Sequence, residues 1–234
     1  MLLPELRAAV LEANLDLVRY GLVVSTFGNA SGISREQGLI VIKPSGVPYD
    51  GMKPEHLVVA DLNGKIVEGN LRPSSDLPTH AALYRAFPSI GGIAHTHSEY
   101  ATAWAQARRP IPCFGTTHAD YFHGPIPVTE VMTDEEIGDE YEANTGEVII
   151  RRFKSLNPAA IPAVLVANHA PFAWGPDAHK AAENAWMLEV AARMAYYTVN
   201  IEANAESIGK TLHDKHFLRK HGKQAYYGQV RNKE

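Results

Sequence analysis

An Asn-Gly pair, Asn63-Gly64, separates the apolar run Leu57-Val58-Val59-Ala60 from Lys65-Ile66-Val67. Such a pair accepts the positive φ angles of a tight turn, so the span from Leu57 to Val67 is predicted as a β-hairpin. This constrains the fold more than any other feature of the chain, because part of the sheet must then be antiparallel. Helical patterns surround the hairpin. Leu6, Val10, Ala13 and Leu17 recur at helical spacing, with Gly21 as the stop. A second helix is expected from Ser75 or Asp76 to just before Pro88, and a third runs through Trp104. Thr133 and Glu136 make a capping box for a short helix. Long helices are expected from about Asp177 to Tyr197 and from Ser207 to Lys220. Further strands are predicted at Leu39 to Ile42, at Gly92 to Thr96, and at Ala163 to Asn168, the last ending at His169. The stretch from Arg109 to Pro127 is rich in Pro, Gly and Thr and reads as a long loop, of a length that is often functional. Interleaved strands and helices, with no linker dividing the 234 residues, indicate one α/β domain with helices on both faces of the sheet.

Composition excludes several functions. A formal charge of −4 gives no basic signal, so nucleic acid is not an expected partner. Cys113 has no mate for a disulfide. No signal-peptide pattern or membrane-length apolar run occurs, and the cytoplasm is the expected compartment. The 11 histidines are grouped: four between His95 and His123, three between His213 and His221, and His169 beside an apolar run.

On a strand, residues two apart share a face, so His95 and His97 are expected to present both imidazoles to one ion. The same pair also fits two hydrogen-bonded histidines. His169, at the end of another apolar strand, strengthens the metal reading. Asp76 could add an oxygen ligand or merely cap its helix. Three imidazoles and a carboxylate suit Zn²⁺, with Mn²⁺ or Co²⁺ as substitutes. Three segments have the small and hydroxylated residues that cradle phosphate: Gly28-Asn29-Ala30-Ser31, Lys43-Pro44-Ser45-Gly46 and Ser74-Ser75. Each alone also fits an ordinary turn. Ser74-Ser75-Asp76, however, would set the anion beside the metal.

Taken in order, these motifs resemble the class II aldolase/adducin family, and within it the pentulose-phosphate 4-epimerases. The resemblance lies in Ile42-Lys43-Pro44-Ser45-Gly46-Val47, Pro73-Ser74-Ser75-Asp76, Gly91-Gly92-Ile93-Ala94-His95-Thr96-His97, Gly115-Thr116-Thr117-His118-Ala119-Asp120, Pro171-Phe172-Ala173-Trp174-Gly175 and the segment from Lys220 to Gln229. It implies a three-layer α/β/α fold around a central, largely antiparallel sheet. It implies metal ligation by His95, His97 and His169, with Asp76 beside the ion. Gly28, Asn29, Lys43, Ser45, Gly46, Ser74 and Ser75 would contact the phosphorylated sugar. Asp120 and Tyr227 would be the proton-transferring pair, in a homotetramer whose active sites lie between subunits. There Tyr227 and His216 would reach into the neighbour's site, with Asp120 supplied by the other chain. Ala167 and Ala170 depart from the family pattern, which has histidine and glycine there, but neither is an implied ligand. The implied reaction interconverts L-ribulose 5-phosphate and D-xylulose 5-phosphate by retro-aldol cleavage and re-addition, in pentose catabolism fed by a sugar such as arabinose. The rivals are a ketose-phosphate aldolase acting on a substrate such as L-fuculose 1-phosphate, and a non-catalytic adducin-like domain. Asp76 stands where the family's aldolases carry glutamate, which favours the epimerase. Phe172 and Trp174 are expected in the core, Cys113 as a small buried side chain, and the His213-to-His221 group on a solvated helix face.

Overall fold

Along each central strand of the computed structural model, successive side chains enter two different cores. Val41, Val59, Ala94, Leu165 and Ala173 join one, while Ile40, Ile42, Val58, Ile93, Val164 and Phe172 join the other. A strand that is apolar on both faces needs cover on both, so the period-2 alternation of a pleated strand yields three layers here. The structure describes residues 1–222 and 225–227. Lys223, Gln224, Gly228 and Gln229 of the C-terminal motif lie outside the described residues.

The elements are α1 (Pro4–Arg19), β1 (Asn29–Ser34), β2 (Leu39–Ile42), β3 (Val58–Asp61), β4 (Ile66–Glu68), α2 (Leu77–Ala86), β5 (Gly92–His95), α3 (Glu99–Gln106), α4 (Thr116–Ala119), α5 (Asp134–Gly138), α6 (Tyr141–Arg152), β6 (Ala163–Leu165), β7 (Pro171–Gly175), α7 (Ala178–Ile201) and α8 (Lys210–His221). The strands form one sheet in the order β4-β3-β2-β1-β5-β7-β6. Every neighbouring pair is antiparallel. The first core holds side chains of α1, α3 and α7, and the second holds those of α2 and α6. The expected three-layer α/β/α architecture is therefore present. No helix among the described residues is long and apolar enough to cross a membrane.

The Asn63-Gly64 hairpin forms as β3 and β4, but only Gly64 takes a positive φ, at 81°. The Asp61 N–H donates to the Lys65 carbonyl and the Gly64 N–H to the Asp61 carbonyl. That is a type I turn closed by a glycine bulge, and Asp61 Oδ1 fixes it by accepting from the N–H groups of Asn63 and Lys65. α1 ends as anticipated: Gly21 sits at φ 70°, and its N–H and that of Leu22 satisfy the carbonyls of Val18 and Leu17. The capping box of Thr133 and Glu136 opens α5.

Several expectations need correction. β5 stops at His95, so His97 lies beyond the strand and strand alternation does not govern it. β6 stops at Leu165, which leaves His169 in the turn before β7, a turn that holds Asn168 at φ 62°. The stretch from Arg109 to Pro127 is not a bare loop, since it contains α4 and its ends meet in an Ile111–Ile126 bridge. β1, β7 and α6 were not anticipated.

β5 lies against the start of α7 because residues 91 and 92 lack side chains. A Cβ on Gly92 would overlap the backbone of Asp177 and Ala178, where no rotamer can yield. Gly92→Ala is therefore expected to cost about 3 kcal/mol of stability, read as a lower urea midpoint at unchanged slope.

Candidate metal and substrate site

The sheet delivers three imidazoles to one point by three different routes. β5 carries His95 to its C-terminal end, where the His95 Nδ1–H donates to the Pro171 carbonyl at 2.9 Å. A carbonyl can only accept, so this bond places the proton on Nδ1 and leaves the Nε2 lone pair free. The ring is further fixed by stacking on Phe172, at 4.1 Å between centroids and 20° between planes. His97 follows on the irregular exit from β5, its ring 5.0 Å from that of His95 and 5.1 Å from that of His169. His169 comes from the β6–β7 turn, pinned by its N–H to the Val166 carbonyl and by the Asn168 N–H to the Ala105 carbonyl.

One ligand atom from each of these histidines lies within 4.8 Å of the others. The donor set suits a divalent ion for two further reasons. Burial pulls the His169 imidazole down to about 4 and holds His97 below its ordinary value, aided in both by neighbouring imidazoles, so these rings are neutral at pH 7 as ligands must be. His169 Nδ1 is also buried with no hydrogen-bond partner among the described residues, which a protein interior rarely tolerates.

Asp76 precedes the first turn of α2, yet its side chain makes no capping bond there. Oδ2 instead accepts from Asn29 Nδ2 at 2.6 Å and lies 4.0 Å from His95 Nε2. Simple capping therefore does not explain Asp76, whose carboxylate faces the imidazoles.

The three segments expected to cradle an anion line the same cavity of about 380 Å³, which contains Gly28, Asn29, Lys43, Ser45, Gly46, Ser74, Ser75 and Asp76 together with His95, His97 and His169. A Pro44–Pro73 bridge joins the lysine loop to the serine loop. Two corrections apply. Asn29 to Ser31 belong to β1 rather than to a turn. The N–H groups of Ser45 and Ser74 are used by the carbonyls of Arg72 and Lys43, so these serines can offer an anion only their hydroxyls. Lys43 is fully buried, its ammonium 4.5 Å from the Tyr49 ring centroid, and burial pulls it down to about 8. A bound anion would repay that desolvation by favouring the charged form.

Tyr141 and Glu142 also line the cavity, and sequence reasoning missed them. They open α6, whose first turn is polar and gives little periodic signal. Phe172 and Trp174 are core residues as expected, although Phe172 also braces His95. Cys113 is buried, as expected.

Asp120, His216 and Tyr227 do not line this cavity; they form a second cluster where α8 meets the end of α4. Asp120 accepts from Arg219 Nε at 3.2 Å, Arg219 Nη2 at 2.9 Å and His216 Nδ1 at 3.0 Å. Partial burial pushes this carboxyl up, but the bonds from Arg219 and His216 outweigh it and hold the group below the usual carboxylate range. The Tyr227 ring lies over Arg219 and Lys220, both of which pair with Asp120. Asp120 and Tyr227 thus lie against the same two cations within a single chain. The face bearing His213 and His221 is not merely solvated either. His213 Nε2 bonds the Phe122 carbonyl, and His221 Nε2 bonds that of Asp120.

An imidazole triad spaced to hold a metal ion shares one cavity with a buried lysine and serines at the end of an antiparallel α/β/α sheet. Residues 8–196 match the class II aldolase and adducin N-terminal domain, and the chain belongs to that family. It is 55% identical over 225 residues to L-ribulose-5-phosphate 4-epimerase UlaF of Salmonella paratyphi A, covering 96% of this chain and 99% of that one. Among solved structures it is similar to an L-fuculose 1-phosphate aldolase, with TM-score 0.77, 26% identity and coverage of 91% of this chain and 94% of that one. A fold likeness extends to YgbL of Klebsiella pneumoniae, a putative aldolase/epimerase/decarboxylase, at TM-score 0.72 and 24% identity over 90% of this chain and 97% of that one.

Proposed function

We propose that this chain, as one domain, is a divalent-metal-dependent L-ribulose-5-phosphate 4-epimerase that forms D-xylulose 5-phosphate. The observation that carries this reading is the single cavity that joins the imidazole triad to the buried lysine and serines. The 55% identity to a 4-epimerase over almost the whole chain supports the choice within the family.

Lys43, Ser45 and Ser74, with the N–H groups of Gly46 and Ser75, bind the phosphate, and Gly28 and Asn29 bound the sugar beside it. His95, His97 and His169 hold the ion, Zn²⁺ by donor chemistry with Mn²⁺ or Co²⁺ as substitutes, and Asp76 stands beside it. When bound, the ion supplies Lewis-acid stabilisation of negative charge developing on the sugar oxygens. Inverting C4, which bears no acidic C–H, then follows a balanced route. A base takes the C4 hydroxyl proton, the C3–C4 electron pair moves toward the C2 carbonyl, and an enediolate and glycolaldehyde phosphate result. The aldehyde rotates, C3 adds to its other face, and an acid on the opposite side returns the proton. Tyr227 and Asp120 are the two groups, reaching the cavity from a neighbouring copy with His216 beside them. The exposed Met194, Tyr196, Tyr197 and Ile201 of α7 give the chain an apolar surface for that assembly, a homotetramer.

Incubation with L-ribulose 5-phosphate should give D-xylulose 5-phosphate in a coupled assay, without net release of aldehyde. Dihydroxyacetone and glycolaldehyde phosphate together should condense slowly to pentulose phosphates. Faster cleavage of L-fuculose 1-phosphate would establish the aldolase reading, which the fold likeness to such an aldolase favours. Deuterium entering C4 from solvent would refute the aldol route.

A further inference from the structure

One residue touches both Asp120 and Tyr227. The Arg219 side chain forks onto both carboxylate oxygens of Asp120, at 3.2 Å and 2.9 Å. Its guanidinium carbon lies 4.7 Å from the Tyr227 ring centroid. Its backbone carbonyl accepts the N–H groups of Tyr226 and Tyr227, at 3.0 Å and 3.1 Å. The same residue therefore fixes the carboxylate on one side and both ring and backbone of the tail on the other.

A guanidinium suits this arrangement and an ammonium does not. The planar fork matches the two carboxylate oxygens while its face remains free to stack on an aromatic ring. Lys220, whose Nζ is 3.6 Å from Asp120 Oδ2 and 4.6 Å from the Tyr227 ring, adds charge but no fork.

We infer that Arg219 is a positioning residue, locking Asp120 and Tyr227 at a fixed separation so that one chain presents them together. This rests on the reading of Asp120 and Tyr227 as the proton-transferring pair. Orientation is where such a residue acts, and a misplacement of about 1 Å is worth roughly 100-fold in rate. Charge is its second effect. The groups facing Asp120 are Arg219, His216, Lys220 and, at its backbone, His221, while the adjacent Tyr121 binds Glu183 and lies under Lys180. Removing Arg219 deletes the one bidentate cation from this set.

Arg219→Ala, Arg219→Lys, Asp120→Asn and the double variant Arg219→Ala/Asp120→Asn test the inference in the intact oligomer. Arg219→Ala should lower kcat by about 100-fold with KM changed little. The acid limb of its kcat profile should move up by about one pH unit or more, because a neighbouring arginine depresses an aspartate by that amount. Arg219→Lys should return the limb toward wild type while kcat stays low, since charge is restored without the fork. The double variant should be slower than Asp120→Asn by clearly less than the loss in Arg219→Ala alone, because part of what Arg219 does passes through Asp120. A rise in KM at unchanged kcat, or additive losses in the double variant, would overturn the inference. Wild-type turnover in the same assay tests the epimerase reading itself, and only the ratios among variants test Arg219.

Discussion

His97→Asn is expected to strip the protein of its divalent ion and to lower kcat/KM by about 10³- to 10⁴-fold. The estimate follows from Lewis-acid stabilisation of several kcal/mol at about 1.4 kcal/mol per decade. Of the three candidate ligands, His97 is the informative one to change because of where it sits. His95 is buried, stacked on Phe172 and bonded to Pro171, so its loss would disturb the core as well as the ion. His97 lies past the end of β5, half-buried, with the exposed Phe27 ring 5.7 Å away. Asparagine there should leave folding intact, checked by circular dichroism and thermal unfolding. Metal content after dialysis is measured beside activity, and Zn²⁺ or Mn²⁺ is then added back. Wild type stripped with a chelator should recover fully, and the variant should not. An unchanged metal content in His97→Asn would remove this histidine from the ligand set.

The elements that declare themselves in the sequence are those whose signal is local. Asn63-Gly64 announces its hairpin, and Thr133 with Glu136 announces α5, because turn and cap chemistry lies within a few residues. β1 is the opposite case. Asn29-Ala30-Ser31-Gly32-Ile33-Ser34 has the composition of a turn, and it is a strand because β2 and β5 pair with both of its edges. Gly32 is small for a tertiary reason: a Cβ there would come within 2.8 Å of Leu6 and 2.9 Å of Val10 on α1. β7 begins with a proline and ends with a glycine, punctuation that ordinarily marks a loop. The triad was legible in identity but not in mechanism. Strand alternation pointed to His95 and His97 together, whereas His97 reaches the site from an irregular segment. Nothing local links Arg219 to Asp120, since α8 brings them together across 99 residues.

The active site is expected to need two chains, and mixing inactive variants should restore activity. The imidazole triad and the anion cradle share one cavity, which Asp120 and Tyr227 do not line. Those two residues are held together elsewhere on the same chain by Arg219 and Lys220. A heterologous contact, in which each chain offers its cavity to one neighbour and its Asp120–Tyr227 pair to another, would bring both sets to one substrate. His97→Asn and Asp120→Asn should each be nearly inactive alone. After unfolding and refolding in equal amounts, about a quarter of the sites would combine an intact triad with an intact Asp120, so activity should approach a quarter of wild type. Asp120→Asn mixed with Tyr227→Phe should recover nothing, because every site draws both residues from one chain. Recovery in that second mixture would show that different chains supply Asp120 and Tyr227. Failure of the first mixture, in oligomers shown by mass spectrometry to be mixed, would place the whole site within a single chain.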